Sequence, residues 1–109
     1  MKKPMVVILP AAEADIRDIR RYVVKKFGKA DWQARYQKLK QSVATLQEFP
    51  ESGKVPEELS DFNPDGYREV VSGQNRVIYN FTKEIIFVHV VADTRRDMKT
   101  LLQKRLLSY

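Results

Sequence analysis

The spacing of apolar residues changes once along this chain, and that change limits the folds open to it. Ala12, Ile16, Ile19, Val23 and Phe27 recur three or four positions apart, lining one face of an amphipathic helix. Gly28 is a natural stop. Trp32, Tyr36, Leu39, Val43 and Leu46 then repeat the pattern until Phe49–Pro50 ends it. Two helices on so short a link form an antiparallel hairpin, and neither is stable until its apolar face covers something. The partner surface comes from the second half. Tyr67–Val71 and Asn75–Phe81 flank Ser72–Gly73–Gln74, which signals a β-hairpin, and the β-branched stretch Glu84–Val91 follows a tight turn at Thr82–Lys83.

Met5–Leu9 reads as a buried strand between prolines, with Pro10 placed where a helix can begin. Residues 51–66 are rich in Pro, Gly, Glu and Asp and read as a loop with one turn at Pro56–Leu59. Thr94 resembles an N-cap with Asp97 completing a capping box, and Met98, Leu101, Leu102 and Leu106 form the stripe of a closing helix. The order is β-α-α-β-β-β-α. The fold class is α+β: an N-terminal helical hairpin packed on a small twisted antiparallel sheet of about four strands. The first strand must pair with the later ones, a long-range closure. With 109 residues, positions 1–109 are expected to form one domain.

Composition excludes several chemistries. The chain has no cysteine, which removes disulfides, thiolate nucleophiles and Cys-ligated metals, and fits a cytoplasmic location. The longest apolar run has five residues, far short of the ~20 needed to cross a bilayer, so no membrane role is expected. Lys2 and Lys3 before that run imitate a signal peptide, but the run is too short for one, and the mature chain is expected to start at or near Met1. One histidine, His89, and scattered carboxylates make no zinc site, and the four glycines fit no nucleotide loop, so no metal or cofactor is expected. Asp15 and Asp18 are better explained by pairing with Arg21, or by solvation, than by a metal. The net charge of +6 divides unevenly. It is +7 over residues 1–40, −5 over 41–66 and +4 over 67–109. The surplus favours an acidic protein or a nucleic acid as partner and does not choose between them.

Several strings, in this order and spacing, resemble the RelE/ParE superfamily of toxins from type II toxin–antitoxin modules. They are Ala11–Ala12–Glu13–Ala14–Asp15–Ile16–Arg17–Asp18–Ile19, Phe49–Pro50 with Gly53, Pro56–Glu57–Glu58–Leu59, Tyr67–Arg68–Glu69, Asn75–Arg76–Val77–Ile78–Tyr79, and Val88 to Asp97. The hairpin and the Tyr67–Arg68 and Arg76–Tyr79 segments look closer to ParE-like members. The resemblance implies a growth-arresting toxin neutralised by a cognate antitoxin with an acidic or amphipathic tail, assembled as a homodimer or a heterotetramer with it. ParE-like members inhibit DNA gyrase; RelE-like members cleave mRNA on the ribosome. A non-toxic binding homologue is the third reading.

The candidate residues are Arg68, Arg76, Arg95 and Arg96, for a phosphate or an acidic partner. Trp32 belongs either to the second helix's core stripe or to an exposed contact with gyrase. If the chain is a nuclease, Arg68, Arg76 and Arg95 are the groups around the phosphate. Arg76, Ile78 and Asn80 share a strand face, and Val77, Tyr79 and Phe81 share the other, which is the expected core face. His89 alternates with Ile85, Phe87 and Val91 and reads as a hydrogen-bonded structural residue rather than a base. Nuclease members carry a Tyr or His near the end of the sheet beside basic residues. Here that zone reads Ala92–Asp93–Thr94–Arg95–Arg96, and arginine is a poor general base. Tyr109 stands at the terminus. The sequence therefore tilts toward binding as the mode of action.

Overall fold

Leu9 is the single joint between β1 (Met5–Ile8) and α1 (Pro10–Phe27) in the computed structural model, which describes residues 2–106. Pro10 fills the first helical position, where a missing N–H breaks no bond. Gly28 closes α1 at φ 96°, donating to the carbonyls of Val23 and Val24, and α2 (Lys29–Glu48) starts at the next residue. A left-handed φ lets one residue turn the chain between two helices. Single 3₁₀ turns at Pro50–Ser52 and Glu57–Leu59 carry the chain to β2 (Arg68–Ser72). β3 (Asn75–Phe81), β4 (Ile85–Asp93) and α3 (Met98–Arg105) complete the expected order. The β2–β3 turn is Gly73–Gln74, with Gly73 at φ 61°, the first-position glycine of a type II′ hairpin.

The strand order is β1-β4-β3-β2. The long-range closure is present, as Met5 faces Ile85 and Ile8 faces Val88. That pairing is parallel, whereas β2–β3 and β3–β4 are antiparallel. The sheet is mixed where a purely antiparallel one was expected. Alternation of side chains is the same for either direction of a strand, so the pattern in Met5–Leu9 carries no sign of it.

Both faces of the sheet are covered. The helical hairpin packs on Val77, Val88 and Val91 through Ala12 and Leu39, and Leu46 packs with Tyr79 and Ile86. On the other face α3 and the Glu57–Leu59 turn cover Ile78, Val90 and Ala92 through Met98, Leu101, Leu102 and Leu59. The expected core face, Val77 and Tyr79, is fully buried, and the face of Arg76, Ile78 and Asn80 is packed as well, with Ile78 fully buried. The stripe of the closing helix is what covers this second face.

A β-bulge at His89 makes β4 serve both layers. Ile78 faces Val90 and Tyr79 faces Val88, so His89 has no residue opposite it. Before the bulge Val88 points to the hairpin; after it Val91 does, while Val90 and Ala92 turn to α3. Strict alternation through Ile85, Phe87, His89 and Val91 is thus broken. The start of α3 also differs from expectation. Its N-cap is Asp97, whose carboxylate accepts from the Thr100 amide, and not Thr94. Thr94 still belongs to the sheet end, donating its N–H to Gln74, and Asp93 holds the next turn through the Arg95 amide.

Candidate functional site

The arginines singled out in the sequence fall in three places. Arg76 is committed internally. Its Nε donates to Glu69 at 2.5 Å, and its two terminal nitrogens donate to Glu58 at 2.7 and 2.9 Å. The pair of hydrogen bonds to one carboxylate is the geometry a guanidinium fork favours. Glu69 lies on the β2 face opposite Ile78, beside Val71, which faces Arg76, so all three meet on the α3 side of the sheet. Arg76 holds the Glu58 carboxyl below its ordinary range by its hydrogen bonds, and Glu58 in turn raises the Arg76 pKa.

Arg68 sits on the opposite face, paired in register with Tyr79, and the two arginines do not meet. Its guanidinium donates to the carbonyls of Glu51 and Gly53. Tyr79 is fully buried, and its hydroxyl donates to the Pro50 carbonyl at 2.6 Å and accepts from the Gly53 amide at 3.0 Å. Gly53 is required here for space. A Cβ would stand 2.5 Å from that hydroxyl and 2.7 Å from the Glu69 carbonyl. Arg68 and Tyr79 together pin the loop after α2 against the sheet.

His89 is a structural residue, as expected. Its Nε2 lies 2.8 Å from Asn80 Oδ1, and its ring meets Tyr67 edge-on at 5.0 Å. Burial pushes its pKa below the ordinary 6.5, and the charge of Arg105 adds to this against a smaller opposing effect of Asp65. The unfolded chain therefore binds a proton that the folded chain resists. This contribution to stability is complete above pH 6.5 and declines as pH falls from 6.5 toward the folded value. The urea midpoint should be lower at pH 5.5 than at pH 7.5, and His89→Gln should flatten that difference. A midpoint that rises on acidification would refute the assignment.

Arg95 and Arg96 occupy the turn between β4 and α3. Arg95 binds its neighbour Asp93 through two nitrogens, at 2.9 and 3.2 Å, and keeps the Asp93 carboxyl below its usual range. Arg96 is exposed. Both line a groove of about 890 Å³ against the second half of α1, with Ile19, Tyr22, Phe27 and Arg35 among its other walls. Tyr22 and Phe27 are half exposed, and Arg35 stacks over Phe27 at 5.0 Å. Trp32 lies outside this groove. Its indole stacks on Tyr36 at 5.4 Å, half buried and on the far side of the hairpin turn. Trp32 is thus neither a core residue nor a partner of the four arginines. Tyr109 lies outside the described residues.

A family model for the ParE toxin of type II toxin–antitoxin systems matches residues 6–98. The chain belongs to the ParE toxin family. No curated relative matches it in sequence. Among solved structures it resembles a chain of the "Chromosomal ParDE TA system from P. aeruginosa", with 17% identity, a TM-score of 0.69, and coverage of 84% of this chain and 96% of that one. At that identity the likeness concerns the fold. The ParE-like resemblance read from the sequence is thereby established, and with it the role of toxin.

In this ParE-family chain, two contributors to the site region escaped sequence reading. Tyr22 brings a phenol beside Arg95, where the linear zone 92–96 offered no Tyr or His. An aromatic lying off the α1 stripe was the available signal. Asp15 does not simply pair with Arg21. Asp18 does that, at 3.6 Å. Asp15 accepts both terminal nitrogens of Arg105 at 3.0 Å and the Val91 amide at 3.0 Å, while Arg105 also donates to the His89 carbonyl. β1 ends at Ile8, so the outer edge of β4 beyond Val88 lacks a strand partner. Asp15 and Arg105 satisfy that open edge from two helices. No helix among the described residues is long and apolar enough to cross a membrane.

Proposed function

We propose that this ParE-family toxin inhibits DNA gyrase by protein–protein contact and is neutralised by an antitoxin segment seated in the Arg95–Arg96 groove. The observation that carries the reading is the commitment of the other polar candidates. Arg76 is neutralised by two carboxylates, Arg68 binds backbone carbonyls, and His89 is tied to Asn80. A nuclease needs a base, an acid and free cations about one phosphate. The groove instead offers exposed aromatic rings, apolar walls, the exposed Arg96, and Arg95, whose pair with Asp93 is open to solvent and exchangeable. Despite the carboxylates of Asp15, Asp18 and Asp93 on its walls, these suit an amphipathic segment with acidic residues that orders on binding. Antitoxin contact is assigned to Arg95 and Arg96, and gyrase contact to the hairpin around Trp32. The ribonuclease remains the second reading because Tyr22 and Arg95 share the groove.

The deciding experiment supplies purified protein to gyrase with relaxed plasmid, and separately to a translating extract. Lost supercoiling or trapped gyrase–DNA cleavage complexes, with mRNA intact, is the expected result. Arg95→Ala/Arg96→Ala should weaken rescue by the antitoxin and leave the gyrase effect in place. Gyrase untouched at stoichiometric excess would sink the reading, and cut mRNA would replace it with the ribonuclease.

A further inference from the structure

The outer side of the helical hairpin carries a cluster of cations of which only Arg21 has a carboxylate partner among the described residues. Arg17, Arg20, Arg21 and Lys25 of α1 and Lys29 of α2 line one cleft of about 420 Å³ with Trp32, and no carboxylate lines it. All five cations are exposed. Arg21 has the acidic neighbour Asp18 at 3.6 Å, with both side chains more than 70% exposed. Such a pair contributes little and is readily exchanged. Arg17, Arg20, Lys25 and Lys29 make no ion pair among the described residues. The contrast with other surfaces is sharp. Arg35, Arg76, Arg95 and Arg105 each hold a carboxylate. The whole chain has a net charge of +6, so this one cleft concentrates five charges of a small surplus.

Like charges left unmatched in one concavity repel one another and attract a polyanion. The choice of polyanion follows from what stands between them. Positions 17, 20, 21 and 25 form a stripe one helix face wide and about 12 Å long at 1.5 Å per residue. Val24 and the indole of Trp32 are the cleft's apolar lining, so an acidic peptide finds no row of side-chain pockets there. An indole braced by Tyr36 beside a cationic track is the combination that holds a single strand, with phosphates on the cations and a base on the ring. We propose that this cleft binds single-stranded nucleic acid. The cleft is separate from the antitoxin groove and shares Trp32 with the hairpin surface assigned above to gyrase, so it is tested with gyrase absent.

Trp32 is the only tryptophan, so its fluorescence reports on the cleft alone. Titration of the purified protein with a short oligodeoxythymidylate should give saturable quenching. The affinity should fall with salt at a log–log slope of about −3, as expected for four to five phosphates on a single strand. Arg20→Gln/Lys25→Gln should reduce the slope by about 1.4 and weaken binding about tenfold or more at 50 mM salt. Both positions are exposed, and an unchanged urea midpoint checks that the variant is folded. Absence of salt-dependent quenching would overturn the proposal. So would poly-glutamate binding as tightly as the oligonucleotide, which would mark an acidic-peptide site, or a duplex of the same length binding more tightly than the single strand. These titrations contain no gyrase and the supercoiling assay reads gyrase directly, so the failure of one reading is told apart from the failure of the other although both surfaces include Trp32.

Discussion

Arg76→Met is expected to destabilise the fold by about 3–5 kcal/mol, because it strands a buried carboxylate. Glu69 is 4% exposed, and its close partner is Arg76 at 2.5 Å. After the substitution the nearest cation is Lys54, whose ammonium is at 4.0 Å and mostly in solvent. The cost is chiefly the burial of an unmatched charge and only secondarily the lost attraction. The control follows from that distinction. Glu69→Gln/Arg76→Met should recover most of the loss, since it removes the charge as well as its partner. Urea unfolding of the two variants checks both statements, and a single substitution costing under ~1 kcal/mol would show that the pair is exchangeable surface charge. The result also governs how toxicity data are read. Loss of growth arrest on Arg76→Ala would reflect a weakened fold before it reflected a lost contact.

The second large effect is expected at Asp15. Asp15→Ala removes the acceptor of the Val91 amide and the counter-charge of Arg105 together. The pair is mostly buried, with the side chains 14% and 21% exposed, so the loss should fall near the lower end of the buried-pair range, about 3 kcal/mol. Its signature is local. The Val91 amide should lose protection from hydrogen exchange while the Tyr79 amide, in the centre of the sheet, keeps it. Arg105 would then hold only the His89 carbonyl, and α3 would lose its tie to α1. A Val91 amide that stays protected in Asp15→Ala would mean that the edge of β4 is closed by something else.

These two residues also mark how far the sequence could be read. The stripes of α1 and α2, the Gly28 break and the β2–β3 turn were legible because each is a local signal with a fixed period or a fixed φ. Arg76 was visible as a candidate, but its neutralisation needed two residues brought from elsewhere. Glu58 belongs to the acidic stretch 41–66, whose charge carries no sign in the sequence of where it goes. Glu69 is opposite Ile78 and next to the partner of Arg76, which becomes apparent once register is known. Asp15 and Arg105 lie at the two ends of the chain, and the bulge at His89 turns the strand between them. A bulge leaves no mark in composition, and it moved Val90 and Val91 to faces that simple alternation assigns the other way. Of the candidate surfaces, the groove of Arg95 and Arg96 was half visible, since its basic side is contiguous in sequence and its aromatic side comes from α1.

The parallel pairing of β1 with β4 ties the first and last strands of the described sheet together across a long stretch of chain. Met5 finds its partner in Ile85, so that contact closes a loop that spans most of the chain. Closing so long a loop costs entropy before any contact repays it, so the step slows folding. The β2–β3–β4 meander can zip through adjacent segments, and the helices can form early, but the hairpin has no complete sheet to cover until β4 exists. β1, which precedes the other described elements in the chain, therefore has no edge to pair with until β4 exists. A newly made chain cut short before Ile85 would carry both long helices and no native edge for β1.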